Sequence, residues 1–263
     1  MRSLIFNLFF YSFTFYVATR VYLLARLGRP RARMHAILRW WGEATLRAVD
    51  VILASRIEVR GLDRVPRDRP VLFVSKHQSE LDVVLLGALW PDSNAVAMKE
   101  LENYPFFGTI LRALDIILVS VEQGPQNRTD ETVEGARRSF ETGRSMIIYP
   151  EGTLMPLGDK ERYRRGAAHL YTRLDPVVIP VATSVGVVWP RREWTKRAHA
   201  VGAIEYLDPI EPGLDFDTFL ARVEETIETN TMRLIRECAT GEVLDAAEAR
   251  HAAVVAAPAK DAA

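Results

Sequence analysis

A histidine and an aspartate stand where a strand-like segment turns into a helix-like one. Residues 71–75 form an apolar run, and the following segment, VSKHQSELD at 74–82, contains His77 and Asp82. On one regular helix, side chains five residues apart would point about 140° away from each other. They can meet only if His77 lies in the turn before the helix and Asp82 lies near its start. There the imidazole could accept a proton while the carboxylate holds its tautomer and stabilises the imidazolium.

A second polar group follows another apolar run, IIYPEGT at residues 147–153. The carboxyl ends of parallel strands share one edge of a sheet, so Glu151 and His77 are predicted to lie at the same edge. Gly152 would let a ligand approach the backbone closely. Taken singly, each signal is weak, because a histidine at a strand end is more often structural and a Pro-Glu-Gly segment is usually an ordinary turn.

The elements around these residues alternate between two patterns. Short apolar, β-branched runs are predicted to be strands at 57–60, 71–75, 95–98, 116–121, 146–149, 177–183 and 203–206. Amphipathic stretches between them are predicted to be helices at 79–90, 106–113, 129–142, 166–174 and 216–236. This alternation predicts an α/β fold with a largely parallel central sheet flanked by helices.

Three regions follow from the 263-residue length and the changes in composition. Residues 1–53 are predicted to be membrane-associated helices, residues 54–240 the catalytic domain, and the Ala-rich residues 241–263 a disordered tail. A single cysteine, Cys238, excludes an intrachain disulfide framework and a cysteine-built zinc site. The sequence also lacks the Walker A, dinucleotide-binding, H-E-x-x-H and G-x-S-x-G signatures.

Zero net charge hides an asymmetry between the N-terminus and the rest of the chain. Residues 1–47 contain eight arginines and one acid, Glu43, so their formal charge is +7 and that of the remainder is −7. A basic, apolar N-terminus favours anionic lipid over nucleic acid as a partner. The excess of arginine places the body on the cytoplasmic face of the membrane.

The uncharged run at residues 3–19 is 17 residues long, which is about 25 Å as a helix against roughly 30 Å of hydrocarbon. It could span the bilayer if Arg20 snorkels, or lie in the interface. A cleaved signal peptide and a buried core helix are the other interpretations. A second amphipathic helix at 34–53 fits either a headgroup interface or a packed core.

Together, the ordered motifs resemble the lysophosphatidic acid acyltransferase family, the 1-acyl-sn-glycerol-3-phosphate acyltransferases, in its bacterial form. His77-x4-Asp82 resembles the family's catalytic H-x4-D box. The other matches are MKEL at 98–101 with Pro105 and 107–108, YPEGT at 149–153, Tyr163-x2-Gly166, and VIPV at 178–181. The resemblance covers roughly residues 60–236, and the order of these boxes is far more specific than any one of them.

The resemblance implies acyl transfer from acyl-CoA or acyl carrier protein to the sn-2 hydroxyl of lysophosphatidic acid, giving phosphatidic acid for phospholipid biosynthesis. His77 would be the general base on that hydroxyl and Asp82 its orienter, with no metal, no other cofactor and no covalent acyl-enzyme. The substrate-binding residues that it implies are Lys99, Glu151, Gly152, Thr153 and Arg165.

Two family arginines, ascribed to binding the acceptor's phosphate, are replaced here by Val121 and Leu154. Basic side chains nearby could compensate, namely Lys76, Lys99, Arg162, Arg164 and Arg165. Three functions therefore stay open: acylation of lysophosphatidic acid, acylation of a phosphate-free lysolipid such as a lyso-ornithine-type lipid, and lipid binding by an inactive relative. A further basic and aromatic segment, WPRREWTKR at 189–197, could contact the membrane or the donor's phosphates, or be a plain exposed loop.

Overall fold

The computed structural model describes residues 1–104, 106–120 and 124–257. Over these residues the helices are α1 (Arg2–Arg26), α2 (Arg31–Leu53), α3 (Glu80–Leu89), α4 (Phe107–Ala113), α5 (Gly124–Glu141), α6 (Gly166–Leu174), α7 (Phe216–Cys238) and α8 (Glu242–Ala256). The strands are β1 (Arg56–Arg60), β2 (Leu72–Ser75), β3 (Asn94–Met98), β4 (Ile117–Val119), β5 (Met146–Ile148), β6 (Val178–Thr183) and β7 (Val201–Tyr206).

The strands form one sheet in the order β1-β7-β6-β2-β5-β3-β4. Strands β6, β2, β5, β3 and β4 are parallel, whereas β7 runs antiparallel to β6 and parallel to β1. This confirms the predicted fold, a largely parallel sheet flanked by helices. Because β2 lies between β5 and β6, the loops that follow these three strands meet at one edge of the sheet, where ligands bind in such folds.

Both faces of the central strand β2 are covered, which explains why its sequence is continuously apolar rather than alternating. Phe73 packs on one face with residues of α2 and α3, among them Leu53 and Leu81. Leu72 and Val74 point to the opposite face, where α5, α6 and α7 supply the partners. The two layers hold β2 rigidly, so the residues that follow Ser75 start from a fixed position.

The N-terminal helices are packed on the body of the molecule. Phe6 of α1 is fully buried in the main core, and its ring lies edge-on to Trp189 at 5.4 Å. α2 contributes Val49 and Leu53 to the same core. Among the described residues, α1 is the helix long and apolar enough to cross a membrane, and 17% of its most apolar window is buried in the body. The division between residues 1–53 and 54–240 stays a prediction.

The prediction of a disordered tail from residue 241 is wrong for Glu242–Ala256, which form α8. Alanine is the best helix former, and the Ala-rich composition that suggested disorder here stabilises a helix. Ala247 is fully buried, and a Cβ built on Gly158 would lie 2.0 Å from the carbonyl oxygen of Ala247. Arg236 of α7 also pairs with Glu248 at 2.7 Å. Helix packing therefore orders a segment whose sequence lacks a strong apolar stripe.

The seven predicted strands and five predicted helices of the body all have counterparts in the structure. The largest boundary difference is in α5, which begins at Gly124 rather than at residue 129. Pro105 and Val121, which entered the motif comparison, lie outside the described residues.

Candidate active site

His77 and Asp82 meet at the carboxyl end of the central strand. The Nδ1 atom of His77 lies 3.2 Å from Oδ2 of Asp82. The aspartate side chain is 1% exposed and that of the histidine is 16% exposed. His77 lies in the turn after β2 and Asp82 in the first turn of α3, as the sequence required for contact.

The local sequence explains why the two side chains converge. Ser79 is the N-cap of α3, and its hydroxyl accepts a hydrogen bond from the backbone N–H of Leu81 at 3.0 Å. Asp82 occupies the third helical position and reaches back, so that Oδ2 accepts from the backbone N–H groups of Gln78 at 2.7 Å and Ser79 at 2.8 Å. This capping box turns the carboxylate toward the preceding loop, where His77 stands. The five-residue spacing therefore places the histidine just before the N-cap and the aspartate at the third position of the helix.

A side-chain hydroxyl is a further hydrogen-bond donor to the aspartate. The hydroxyl of Thr183, at the end of β6, lies 3.3 Å from Oδ1 of Asp82. With N–H donors on one oxygen and a hydroxyl on the other, the carboxylate is held as an acceptor. It can then accept a hydrogen bond from Nδ1–H of His77, which leaves Nε2 of the neutral imidazole to accept a proton.

The Pro-Glu-Gly segment closes around the histidine. The ring of Tyr149 stacks on the ring of His77, with centroids 4.0 Å apart and planes 23° from parallel. Farther along, the backbone N–H of Met155 donates to the carbonyl oxygen of His77 at 2.7 Å. The loop after β5 therefore contacts both the ring and the backbone of His77, at the sheet edge that the two motifs were predicted to share.

Glu151 lies behind the histidine, where it is fully buried. One carboxylate oxygen is 2.6 Å from Nζ of Lys76, and the other accepts from the backbone N–H of His77 at 3.4 Å. Burial raises the pKa of Glu151 to about 7, although the charge of Lys76 opposes the shift. This placement gives Glu151 contacts that position His77, and it differs from the direct substrate contact that the resemblance implied.

Lys76 is also fully buried and paired with acids, so it is not placed to compensate for the replaced family arginines. Its ammonium group donates to Glu151, to Glu228 of α7 at 2.9 Å and to the carbonyl oxygen of Asp159 at 3.0 Å. The hydroxyl of Tyr163 donates to Glu228 at 2.8 Å. We call Lys76, Glu151, Glu228 and Tyr163 the buried ion cluster; it ties β2, the Pro-Glu-Gly loop and α7 together.

An exposed arginine, Arg164, packs on the turn that follows Glu151. Gly152 has a φ of +65°, a left-handed conformation that favours glycine. A Cβ at this position would lie 2.4 Å from Cζ of Arg164, so the guanidinium rests directly on the Gly152 backbone. Arg165, in contrast, lies over the ring of Phe216 at 4.6 Å. Of these two arginines, Arg164 borders the turn that contains Gly152 and Thr153.

Lys99 lies elsewhere, at the exposed start of a 3₁₀ turn after β3. It lines a cavity of about 390 Å³ between β4 and α5, with Asp115, Glu131, Glu134 and Arg138 among the other lining residues. The structure therefore does not bring Lys99 into the group around His77. Substrate binding by Lys99, Gly152, Thr153 and Arg165 stays a prediction.

Several residues of the site were not predicted in the roles that the structure gives them. Thr183 follows the VIPV motif by two positions, but no spacing rule connects it with Asp82. Glu228 lies on a helix that reads as ordinary core packing, so nothing in the sequence links it to Lys76. Within the described residues, no group of three or more histidine, cysteine or acidic side chains has the arrangement of a metal site.

Comparison with known proteins gives matches for most of the chain. Residues 56–184 match the family model described as Acyltransferase. The 1-acyl-sn-glycerol-3-phosphate acyltransferase of Pseudomonas aeruginosa is 29% identical over 196 residues, which are 74% of this chain and 76% of that protein. The human 1-acyl-sn-glycerol-3-phosphate acyltransferase beta is 30% identical over 169 residues, 64% of this chain and 59% of the human protein.

A solved structure shares the fold. The 1-acyl-sn-glycerophosphate (LPA) acyltransferase PlsC from Thermotoga maritima superimposes with a TM-score of 0.70 over 89% of this chain and 98% of that one, at 22% sequence identity. The sequence matches confirm the family resemblance that the ordered motifs indicated.

Proposed function

We propose that this chain acylates the sn-2 hydroxyl of lysophosphatidic acid, because residues 56–184 match the Acyltransferase family model and the chain is similar to 1-acyl-sn-glycerol-3-phosphate acyltransferases. The donor would be a thioester of coenzyme A or of acyl carrier protein, and the product phosphatidic acid. The observation that carries the proposal is the His77–Asp82 pair, held at 3.2 Å at the carboxyl end of β2.

The reaction needs one proton acceptor and one direct attack. Nε2 of His77 takes the proton from the acceptor hydroxyl while its oxygen attacks the thioester carbonyl carbon. The carbon–sulfur bond then breaks, and the leaving thiolate takes the proton back from the imidazolium. Asp82 stabilises the imidazolium between the two steps, and its three other hydrogen-bond donors keep it fixed throughout.

Arg164 is the side chain that we propose for the acceptor's phosphate. Leu154 occupies the position of a family arginine, and it immediately follows the turn on which Arg164 rests. A guanidinium is suited to phosphate because it presents parallel N–H donors. Arg164 is exposed, and its backbone N–H donates to the carbonyl oxygen of Pro150 at 2.8 Å. It would thus supply from the following segment the charge that Leu154 lacks.

The test of this assignment compares two acceptors. With lysophosphatidic acid, we expect Arg164→Ala to raise KM about tenfold, since an arginine–phosphate contact is charge-assisted. With a phosphate-free monoacylglycerol, KM should stay unchanged. Arg222→Ala, which removes an exposed arginine of α7, is the control and should behave as the parent. Equal turnover of both acceptors by the parent enzyme would contradict phosphate recognition, and faster turnover of the phosphate-free acceptor would favour a phosphate-free lysolipid as substrate.

We also propose that α1 lies on the membrane surface and does not cross it. Near its start, the side chain of Asn7 donates to the carbonyl oxygen of Trp194 at 2.7 Å, and the hydroxyl of Ser3 accepts from the backbone N–H of Lys196 at 2.8 Å. Near its end, the ring of Tyr22 contacts that of Phe106 at 4.6 Å. A helix attached to the body at both ends cannot span a bilayer with this packing.

The solvent-facing side of α1 is apolar. Large side chains exposed on it are Leu4, Ile5, Leu8, Tyr11, Phe15, Tyr16 and Leu23. Trp40, Trp194, Phe106 and Phe107 are exposed on neighbouring segments. With the arginines of residues 20–47, this surface suits an anionic membrane interface, on the cytoplasmic side by the distribution of positive charge.

A further inference from the structure

A cavity of about 250 Å³ adjoins the residue after the histidine. Its walls come from the loop after β5, the loop after β6 and the start of α8, and Gln78 forms part of the inner wall. The residues that line it include Met155, Pro156, Leu157, Gly186, Arg191, Arg197, Val243 and Arg250. Because the backbone N–H of Met155 donates to the carbonyl oxygen of His77, one wall of the cavity is fastened directly to the candidate base.

Among the residues that the structure describes, the side-chain amide of Gln78 has no hydrogen-bond partner in this wall. Gln78 is 1% exposed, and within the described residues neither Nε2 nor Oε1 of its amide has a hydrogen bond. Buried amides in folded proteins almost always have partners, so an orphan in a cavity wall needs an explanation. An amide can donate and accept at once, and a second amide is its natural complement.

The remaining lining divides into apolar and basic parts. Met155, Leu157 and Val243 supply apolar contact. Arg197 donates to the carbonyl oxygens of Gly186 and Val187 at 3.2 and 3.0 Å, and Arg250 donates to that of Leu157 at 3.1 Å. Each guanidinium has five N–H groups, so these hydrogen bonds hold the two arginines in place while other N–H groups remain for a ligand. The three arginines of the lining, Arg191 among them, outnumber its two acids, Glu193 and Glu242, so the lining has a net positive formal charge.

We propose that this cavity binds the phosphopantetheine arm of the thioester donor, an inference that rests on the proposed function. The arm carries two amides, a pair of methyl groups and a phosphate, which match the orphan amide, the apolar walls and the arginines. The cavity's volume is below the roughly 300–1,000 Å³ of pockets for drug-sized ligands, so the cavity suits a slender arm better than a whole lipid. Since Gln78 directly follows His77, the thioester end would lie beside the base.

Coenzyme A and acyl carrier protein share this arm, and the experiment treats them as separate donors. Initial rates are measured with oleoyl-CoA, with oleoyl acyl carrier protein, and with lysophosphatidic acid as the varied substrate. Arg191→Ala changes the rim, and Gln78→Met removes the amide at similar volume. Arg222→Ala, exposed on α7 and outside this lining, is the matched control.

We expect Arg191→Ala and Gln78→Met to raise KM for both donors five- to tenfold, with KM for the acceptor and kcat within twofold of the control. A rise in the acceptor's KM instead would overturn the assignment, as would values that match those of Arg222→Ala. An effect on oleoyl-CoA alone would contradict recognition of the shared arm, because the nucleotide part would then be what the cavity binds.

A binding measurement separates this inference from the proposed function. Calorimetric titration of the full chain with coenzyme A needs no turnover, and we expect binding that Arg191→Ala weakens five- to tenfold. Loss of the proposed function would show as no His77-dependent turnover while coenzyme A still binds. Undetectable binding of coenzyme A by an active parent enzyme, with both donor KM values unchanged in the variants, would overturn the inference alone.

Discussion

At the scale of single residues, Asp82 combines two functions that usually belong to different side chains. It caps α3 through the N–H groups of Gln78 and Ser79, and it faces the Nδ1 atom of His77. The sequence predicted the contact, because a cap position is the only place where the five-residue spacing closes. It could not predict the hydroxyl of Thr183, which comes from a distant strand and depends on the order of the sheet.

Substitution of Asp82 can separate the two functions. Asparagine keeps an oxygen that accepts from the N–H groups of the helix cap, so we expect Asp82→Asn to lose no more than about 1 kcal/mol of unfolding free energy. Its amide cannot stabilise an imidazolium, so kcat should fall by about 10²- to 10⁴-fold. Denaturant unfolding and initial rates on one preparation measure both effects. A variant that unfolds much more easily and keeps its kcat would contradict the assignment.

At the scale of elements, the buried ion cluster fastens β2, the Pro-Glu-Gly loop and α7 to one another. Lys76 and Glu151 are both fully buried, and removal of one partner of such a pair typically costs about 3–5 kcal/mol. Sequence patterns predicted the strands and helices well because apolar periodicity reports which face is covered. They missed the cluster because Glu228 is far away in sequence, and they missed α8 because its contacts are few and involve alanine.

The raised pKa of Glu151 has a consequence for stability. Between pH 4.5 and about 7 the folded protein retains a proton on Glu151 that the unfolded chain has lost, so the unfolding free energy should fall as pH rises. Above that range Glu151 is deprotonated in both the folded and the unfolded chain, so it no longer changes the unfolding free energy with pH. Glu151→Gln carries no titrating group, so its curve should lack this fall, which we expect to be up to about 3 kcal/mol.

Urea unfolding at several pH values between 4 and 8 measures this difference. Glu225→Gln, an exposed carboxyl on α7, is the control and should follow the parent curve. Parallel curves for the parent and Glu151→Gln would show that Glu151 titrates alike in the folded and unfolded chains.

At the scale of the whole molecule, α1 packs on the same core that holds the candidate active site, and it carries the exposed apolar surface that we propose to face the membrane. Phe6 and Trp189 join the helix to the core, and Trp189 begins the segment that borders the proposed donor cavity. The sequence predicted a membrane-associated helix but left its mode open, because composition does not report which residues of an apolar helix are buried. The packing of both ends of α1 on the body is the observation that supports the proposed position on the membrane surface.

Phe15 is 75% exposed on α1 and tests the membrane surface. We expect Phe15→Glu to weaken binding to phosphatidylglycerol vesicles about tenfold, since insertion of an aromatic ring contributes roughly 1.5–3 kcal/mol. Val255→Glu on α8, where the valine is 72% exposed, is the matched control and should bind as the parent does. Vesicle co-sedimentation measures both, and equal loss in the two variants would point to charge repulsion without insertion of α1.

We propose His77 as the base of an acyl transfer to a lysolipid hydroxyl. The most direct test is release of free thiol by the parent and by His77→Ala, with oleoyl-CoA and lysophosphatidic acid, on vesicles and with both proteins shown to be folded. We expect acceptor-dependent thiol release by the parent and a rate reduced at least 10³-fold in the variant. Equal rates in the two proteins would contradict the claim.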